Sequence, residues 1–365
     1  MPQEPLNDPI RTSQTPPKLQ LEKGHVAMRK FNAENERIKR RYVIYLKEAL
    51  GQDEKSIDKM AAALVKFEDS TRYKSFKQFH IEQAGKFKAH LSKSKSATGK
   101  PLSLTTTDAT LRLVKAFFQW LAGQQGFKKV LSYSDVQYFN NNRNDARAAH
   151  AQRPVQFPSI QAALHAFQAM RDQTVLEHRD KAVFAFLMLT GARDGAVASF
   201  SLKHVNLIDG CVFQDGREVK TKNRKTFTST FFPVDPSYLD CFTRWVNFLR
   251  YEKLFGPEDA LFPKPERRLV GGKFVYDTLS REPYSNTQKI SQIVRTAFAN
   301  VQMHQYTPHS FRKTLGLLMN DLELTLEQQK AWSQNLGHKS FTTTVSSYLP
   351  VSECRQRELI RELRK

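Results

Sequence analysis

The sequence predicts a mainly α fold with a small antiparallel β-sheet, divided between two domains. Three observations carry this reading. Apolar residues recur at spacings of three and four along most of the chain. Strand-like runs bounded by turn residues are confined to residues 211–234 and 268–276. A chain of 365 residues with 40% hydrophobic side chains and 26 phenylalanines has material for two well-packed cores.

Residues 1–31 carry Pro, Gln, Asn, Thr and Lys without apolar periodicity and read as a flexible arm. Residues 32–135 read as a helical domain. Its first helix holds Tyr42, Tyr45, Leu46 and Ala49 and stops at Gly51. The second and third cover Ile57–Phe67 and Ser75–Leu91, and a basic loop runs from Lys93 to Gly99. The fourth has a Thr-rich start at Leu104–Thr107, followed by Leu111, Val114, Phe117, Phe118 and Leu121 on one stripe. Residues 136–158, with the polar run Asn140–Asn144 and with Pro154 and Pro158, read as a linker.

The second domain, 159–350, opens with helices over Ser159–Met170 and His178–Leu189. Strands are expected at Cys211–Phe213, Glu218–Thr221 and Thr226–Val234, and a second hairpin turns at Gly271-Gly272. Helices follow over Tyr238–Leu254, Asn286–Asn300, Pro308–Asp321 and Leu326–Asn335. In the tail, 351–365, a short helix places Leu359, Ile360 and Leu363 on one side.

Fifty-seven Lys and Arg against 36 Asp and Glu leave a net charge of +21. Such an excess points to a polyanionic partner, nucleic acid first and an anionic membrane surface second. No apolar run reaches 18 residues and the N-terminus lacks a basic-then-apolar leader, so neither a membrane span nor a signal peptide is expected. Three widely spaced cysteines, Cys211, Cys241 and Cys354, form no zinc pattern and read as inert thiols in a reducing interior. HExxH, EF-hand, P-loop and GxGxxG patterns are absent, so no metal and no cofactor are expected.

The chemistry lies in the order of polar residues across the second half. Arg193 follows directly on an apolar helix that ends at Gly191, which places it at a rigid junction. Lys220, Lys222, Arg224 and Lys225 crowd one predicted hairpin; Lys222, at the end of its strand, is the preferred proton donor, with Lys220 and Lys225 as alternatives. Thr307 at the N-cap and Pro308 at N1 start a helix that sets His309 and Arg312 on its first turn, where free amides favour an anion. Leu336-Gly337-His338 follows, and Tyr348 comes ten residues after His338. Taken singly, these residues fit plainer roles: a surface histidine, a structural arginine, a solvated basic turn, a packing tyrosine. Together they hold a phosphodiester, move protons and offer a phenol oxygen, which needs a cationic surround because its pKa lies near 10.

In this order the residues resemble the tyrosine recombinase, or phage-type integrase, family: Thr190-Gly-Ala-Arg193, Lys222, His309-Ser-Phe-Arg312, Leu336-Gly-His338 and Tyr348. The helix Thr105–Leu121 also resembles the last helix of that family's core-binding domain. The resemblance covers residues 32–350. It implies a helical SAM-like core-binding domain ahead of an α/β catalytic domain, and site-specific cleavage and rejoining of DNA through a 3′-phosphotyrosyl intermediate. Tyr348 is then the nucleophile, Arg193 and Arg312 bind the non-bridging oxygens, Lys222 protonates the leaving 5′ oxygen, His309 assists proton transfer, and His338 hydrogen-bonds the phosphate. The implied partner is double-stranded DNA with inverted-repeat half-sites, bound by a homotetramer in a bacterial, nucleoid-associated, cytoplasmic setting, with room for an accessory protein that sets direction. The tail helix then docks on a neighbouring subunit or on its own domain. The sequence departs from the pattern at Ala196, where the family often has an acid three residues after the first arginine; here Asp194 stands next to Arg193 instead. Type IB topoisomerases and hairpin telomere resolvases share the residue set, and a DNA-binding protein without catalysis is the non-enzymatic alternative.

Overall fold

The computed structural model describes residues 31–96, 98–151, 156–322, 324–338, 341 and 353–363. The chain divides into two compact units, Met1–Arg153 and Pro154–Lys365. Most of the predicted arm, 1–31, lies outside the described residues.

The first unit is helical. Its elements are α1 (Ala33–Ile44, continued by a π-helical turn over Tyr45–Ala49), α2 (Glu54–Thr71), α3 (Ile81–Lys93), α4 (Leu104–Ala122), α5 (Tyr133–Val136) and α6 (Arg143–His150). The caps are written in the sequence: the side chains of Asn32, Asp53 and Ser103 each accept a first-turn amide. Phenylalanines fill the centre. The ring of Phe67 lies 5.0–6.4 Å from Phe76, Phe79, Phe87, Phe118 and Phe139, distances at which aromatic pairs gain beyond their buried area. The expected third helix is split, because Phe76–Gln78 forms a separate 3₁₀ turn before α3. The stretch expected as a linker, 136–158, contains a helix. Residues 143–150 form α6, capped by Asn142, and pack on α4. Thr105 donates to the carbonyl of Ala149 (3.0 Å), and Nε2 of His150 lies 3.3 Å from Asp108.

The second unit is built round α8 (Val175–Thr190), which is buried on every side from Ala182 to Thr190. Against it pack α7 (Ile160–Gln168), α10 (Pro236–Asn247), α11 (Gln288–Asn300) and α12 (Pro308–Asp321). A short helix α9 (Asp194–Val197) follows α8, α13 (Leu326–Asn335) follows α12, and α14 (Glu353–Glu362) lies near the end. Strands β1 (Val205–Asn206), β2 (Cys211–Gln214) and β3 (Phe227–Thr230) form an antiparallel sheet in that order, with Val212 opposite Ser229.

The expected strand Glu218–Thr221 does not form. Asp215 folds the chain there: its carbonyl accepts the amides of Glu218 and Val219 and its carboxylate accepts that of Arg217. The chain turns directly after Gln214, the last β2 residue paired with β3.

A separate two-stranded hairpin, β4 (Pro263–Val270) with β5 (Lys273–Pro283), turns at Gly271-Gly272. Both glycines have positive φ, +58° and +76°, as a two-residue type I′ turn requires. Its root is held by Arg179, fully buried, which donates to the carbonyl of Pro263 (3.0 Å). Among the described residues, no helix is long and apolar enough to cross a membrane.

Candidate active site

Four segments of the second unit converge: the end of α8, the loop between β2 and β3, the start of α12, and the end of α13. Each is shaped by local chemistry. At the end of α8, Thr190 donates to the carbonyl of Phe186 (2.7 Å) and accepts the amide of Ala192 (3.1 Å). Gly191 caps the helix at φ +57°, and a β-carbon there would meet Leu336 at 2.8 Å. Arg193 follows at the N-cap of α9, half-buried. The junction is therefore tight, as its position between apolar segments suggested.

Helix α12 begins at Pro308, as expected. Thr307 takes the N-cap position, but among the described residues its hydroxyl makes no capping bond; Ser310 closes the turn by donating its amide (2.9 Å) and hydroxyl (2.6 Å) to the carbonyl of Thr307. His309 and Arg312 leave the first turn differently. His309 is exposed, whereas Arg312 is only 3% exposed. The guanidinium of Arg312 donates to the carbonyls of Gly191 and Leu336 and to Nε2 of His338 (3.1 Å). It ties three segments together from beneath rather than standing beside His309 on the surface.

The segment after α13 is equally constrained. Gly337 has φ +71°, and a β-carbon would lie 2.5 Å from the ring of Phe227. Asn335 holds strand β3 with its side chain: Oδ1 accepts the amide of Thr230 (2.7 Å) and Nδ2 donates to its carbonyl (2.8 Å). The amide of His338 donates to the carbonyl of Ser333 (3.1 Å) and the ring is buried. Burial first, and then the charges of Arg312, Arg193, Lys225 and His309, push the His338 imidazole down to about 4. It is neutral at neutral pH. With Arg312 donating to Nε2, its own hydrogen is assigned to Nδ1. His309 is also held below the ordinary histidine value, by desolvation first and then by Arg312, Lys313 and Arg193, with Asp194 opposing. These shifts place Arg193, Arg312 and both histidines within electrostatic reach of one another.

The lysines separate. Lys220 and Lys222 are exposed, and Lys222 opens a 3₁₀ turn, Lys222–Arg224, rather than ending a strand. Asn223 and Arg224 turn the backbone there with φ of +58° and +50°. Lys225 is the lysine brought against the other groups: its Nζ donates to the carbonyl of His338 (3.2 Å) and lies over the ring of Phe227. Tyr348 lies outside the described residues. Sequence reading missed two fastening residues, Asn335, which holds strand β3, and Ser199, which holds the loop at Lys220. Their signals, a polar residue before Leu-Gly-His and a serine six after Arg193, are weak alone.

A family model described as the phage integrase family matches residues 157–354, more than half of the chain. The class so defined is that of tyrosine-type site-specific recombinases. The chain belongs to the phage integrase family. Solved structures support the fold. The XerH site-specific recombinase bound to a palindromic difH substrate aligns at 16% identity and a TM-score of 0.59, over 90% of this chain and 85% of that one. A lambda integrase dimer bound to a COC′ core site aligns at 14% identity and 0.58, over 86% and 95%. The Tn1549 transposon integrase in complex with transposon right-end DNA aligns at 13% identity and 0.54, over 90% and 99%. No curated protein sequence matches the chain significantly.

Proposed function

We propose that this recombinase acts on double-stranded DNA by two transesterifications through Tyr348. The phenol oxygen attacks the scissile phosphate, a P–O bond to tyrosine forms, and the bond to the 5′ oxygen breaks. Arg193 and Arg312 neutralise the charge that builds on the non-bridging oxygens, donors commonly worth about 3–4 kcal/mol each. A lysine of the β2–β3 loop, Lys222 on the family pattern, delivers the proton that the leaving oxygen needs. A neutral His338 has one N–H to offer a phosphate oxygen, and His309, below its ordinary pKa, is free to accept the proton of the phenol. Attack by a 5′ hydroxyl from another duplex then reverses the step and releases Tyr348. Bond energy is kept in the protein–DNA ester throughout.

The observation that carries the reading is the hydrogen bond of Arg312 to His338, with Lys225 fastened to the same residue. These groups come from three separate stretches of chain and turn toward one place. A net charge of +21 suits a long polyanion, and affinity should fall with salt by about 0.9 log units per log unit for each phosphate neutralised. The proposed assembly is a tetramer on paired inverted-repeat half-sites in a bacterial cytoplasm, at the nucleoid, with direction set by an accessory protein. Ile360 in α14 and Leu363 just after it are exposed and suit the proposed docking role of the tail.

The test is a suicide DNA duplex, nicked so that the cleaved strand diffuses away. A covalent adduct on the wild type that Tyr348→Phe abolishes supports the reading. No adduct from the wild type on its own site would reduce the chain to DNA binding.

A further inference from the structure

We propose that Ser199 is a positioning residue that holds the lysine-bearing loop against the helix following Arg193, so that a lysine of that loop reaches the leaving oxygen. The proposal rests on the reading above that this loop supplies the general acid.

The geometry is local and specific. Ser199 ends the turn after α9, and its hydroxyl lies 3.0 Å from the carbonyls of both Gly195 and Ala196. One hydroxyl hydrogen serves these two acceptors, which leaves the oxygen's lone pairs turned outward. That oxygen accepts the backbone amide of Lys220 at 2.8 Å, 21 residues along the chain. A serine at a helix end commonly bonds its own helix. Here the same oxygen also anchors a distant loop. Ala196, one turn earlier, is buried and has no polar side-chain atom to do this.

The rest of the loop passes that anchor on to the lysines. Gly195 lies against the loop at ordinary contact distance: a β-carbon there would sit 3.4 Å from the carbonyl of Lys220. Gly216 is pressed against the far side, where a β-carbon would lie 2.0 Å from the carbonyl of Arg224, and its amide donates to Thr226 (3.0 Å). Thr221 donates to the carbonyl of Lys225 (2.8 Å) and closes the loop on itself. Residues 221–225 therefore form one small ring, and beside it the amide of Lys220 donates to Ser199 on the Arg193 side. Cut that bond, and Lys222 and Lys225 keep their charge but lose their register against Arg193.

The experiment uses the full-length protein and compares two suicide duplexes. One has an ordinary phosphodiester at the scissile position, and the other a bridging 5′ sulfur. A thiolate, whose parent thiol has a pKa of about 8.5, leaves without a proton donor. Ser199→Ala should slow adduct formation about tenfold to a hundredfold on the oxygen substrate, the scale of a small misplacement. It should match the wild type on the sulfur substrate and bind DNA within twofold of it. Ser199→Thr, which keeps the hydroxyl, should restore the oxygen rate. Equal slowing on both substrates, or no slowing, overturns the proposal. Lys222→Ala and Lys225→Ala run in parallel. If sulfur rescues a lysine variant but not Ser199→Ala, the tether alone fails; if it rescues neither lysine variant, the general-acid reading fails.

Discussion

Arg312 donates to Nε2 of His338 across 3.1 Å while the same guanidinium holds the carbonyls of Gly191 and Leu336. One buried cation therefore fixes three pieces of the site. A planar fork can reach diverging acceptors in this way; an ammonium on a flexible stem cannot.

Arg312→Lys should therefore lose stability and activity together. An acceptor left unsatisfied in a buried place costs about 1–3 kcal/mol, a fall of several degrees in melting temperature. Arg193→Lys, at the half-buried N-cap of α9, should leave melting close to wild type while adduct formation drops about 10²–10³-fold. Calorimetry and suicide-substrate assays on both variants check the contrast. If Arg312→Lys melts at the wild-type temperature, the arginine is not the scaffold described.

The depressed pKa of His338 makes stability depend on pH in a defined direction. The folded ring titrates at about 4, against an ordinary histidine value near 6.5. Between those values the unfolded chain binds a proton that the folded chain refuses. Stability is therefore fully present above pH 6.5 and declines as pH falls toward 4. His309 is shifted the same way and adds to the slope. His338→Gln, which removes the titration, should lose less stability than the wild type between pH 6.5 and 4.5 in urea denaturation. Parallel pH curves for the two proteins would refute this account of the buried ring.

Much of this was legible before folding, for identifiable reasons. Helices α12 and α13 span the ranges the sequence indicated, because Pro308 marks one start and Thr325, whose side chain accepts the amide of Gln328, marks the other. Arg193 was legible because an apolar helix stops at a glycine two residues before it. The β2–β3 loop was not, because its turns come from carboxylate and threonine bonds at Asp215 and Thr221 that no periodicity announces. Helix α6 was missed because its packing face is alanine and its cap is one asparagine in a run of asparagines. The burial of Arg312 was invisible for a different reason: its partners are backbone carbonyls, contributed by residues that the sequence cannot mark as acceptors.

Gly337 gives a sharper test of the close packing at this corner. With φ +71° and the Phe227 ring 2.5 Å from where a β-carbon would go, alanine meets both backbone strain and a clash. Gly337→Ala should cost about 1–3 kcal/mol and suppress cleavage. Adding Phe227→Ala removes the clash but not the strained φ, so the double variant should be less impaired at this corner than additivity predicts. A double-mutant cycle in thermal unfolding measures that coupling; strict additivity would mean that the ring and Gly337 do not meet.

Asn335 separates position from stability. Its side chain bonds the amide and carbonyl of Thr230 as a neighbouring strand would, and its own carbonyl accepts the hydroxyl of Ser229 (2.9 Å). Thr230 is exposed, so water can replace the lost partners, and Asn335→Ala should cost only about 0.5–1.5 kcal/mol. His338 lies three residues on, and loss of the clamp lets the end of α13 shift against β3. Cleavage should fall about tenfold or more at a temperature where the variant is fully folded, since small displacements at a reacting centre are expensive. Asn335→Asp, which keeps the acceptor but not the donor, should lie between. DNA affinity, measured at fixed salt, should stay within twofold of wild type for both variants. A cleavage loss that vanishes once the folded fraction is corrected for would show that Asn335 stabilises the unit without setting the position of His338.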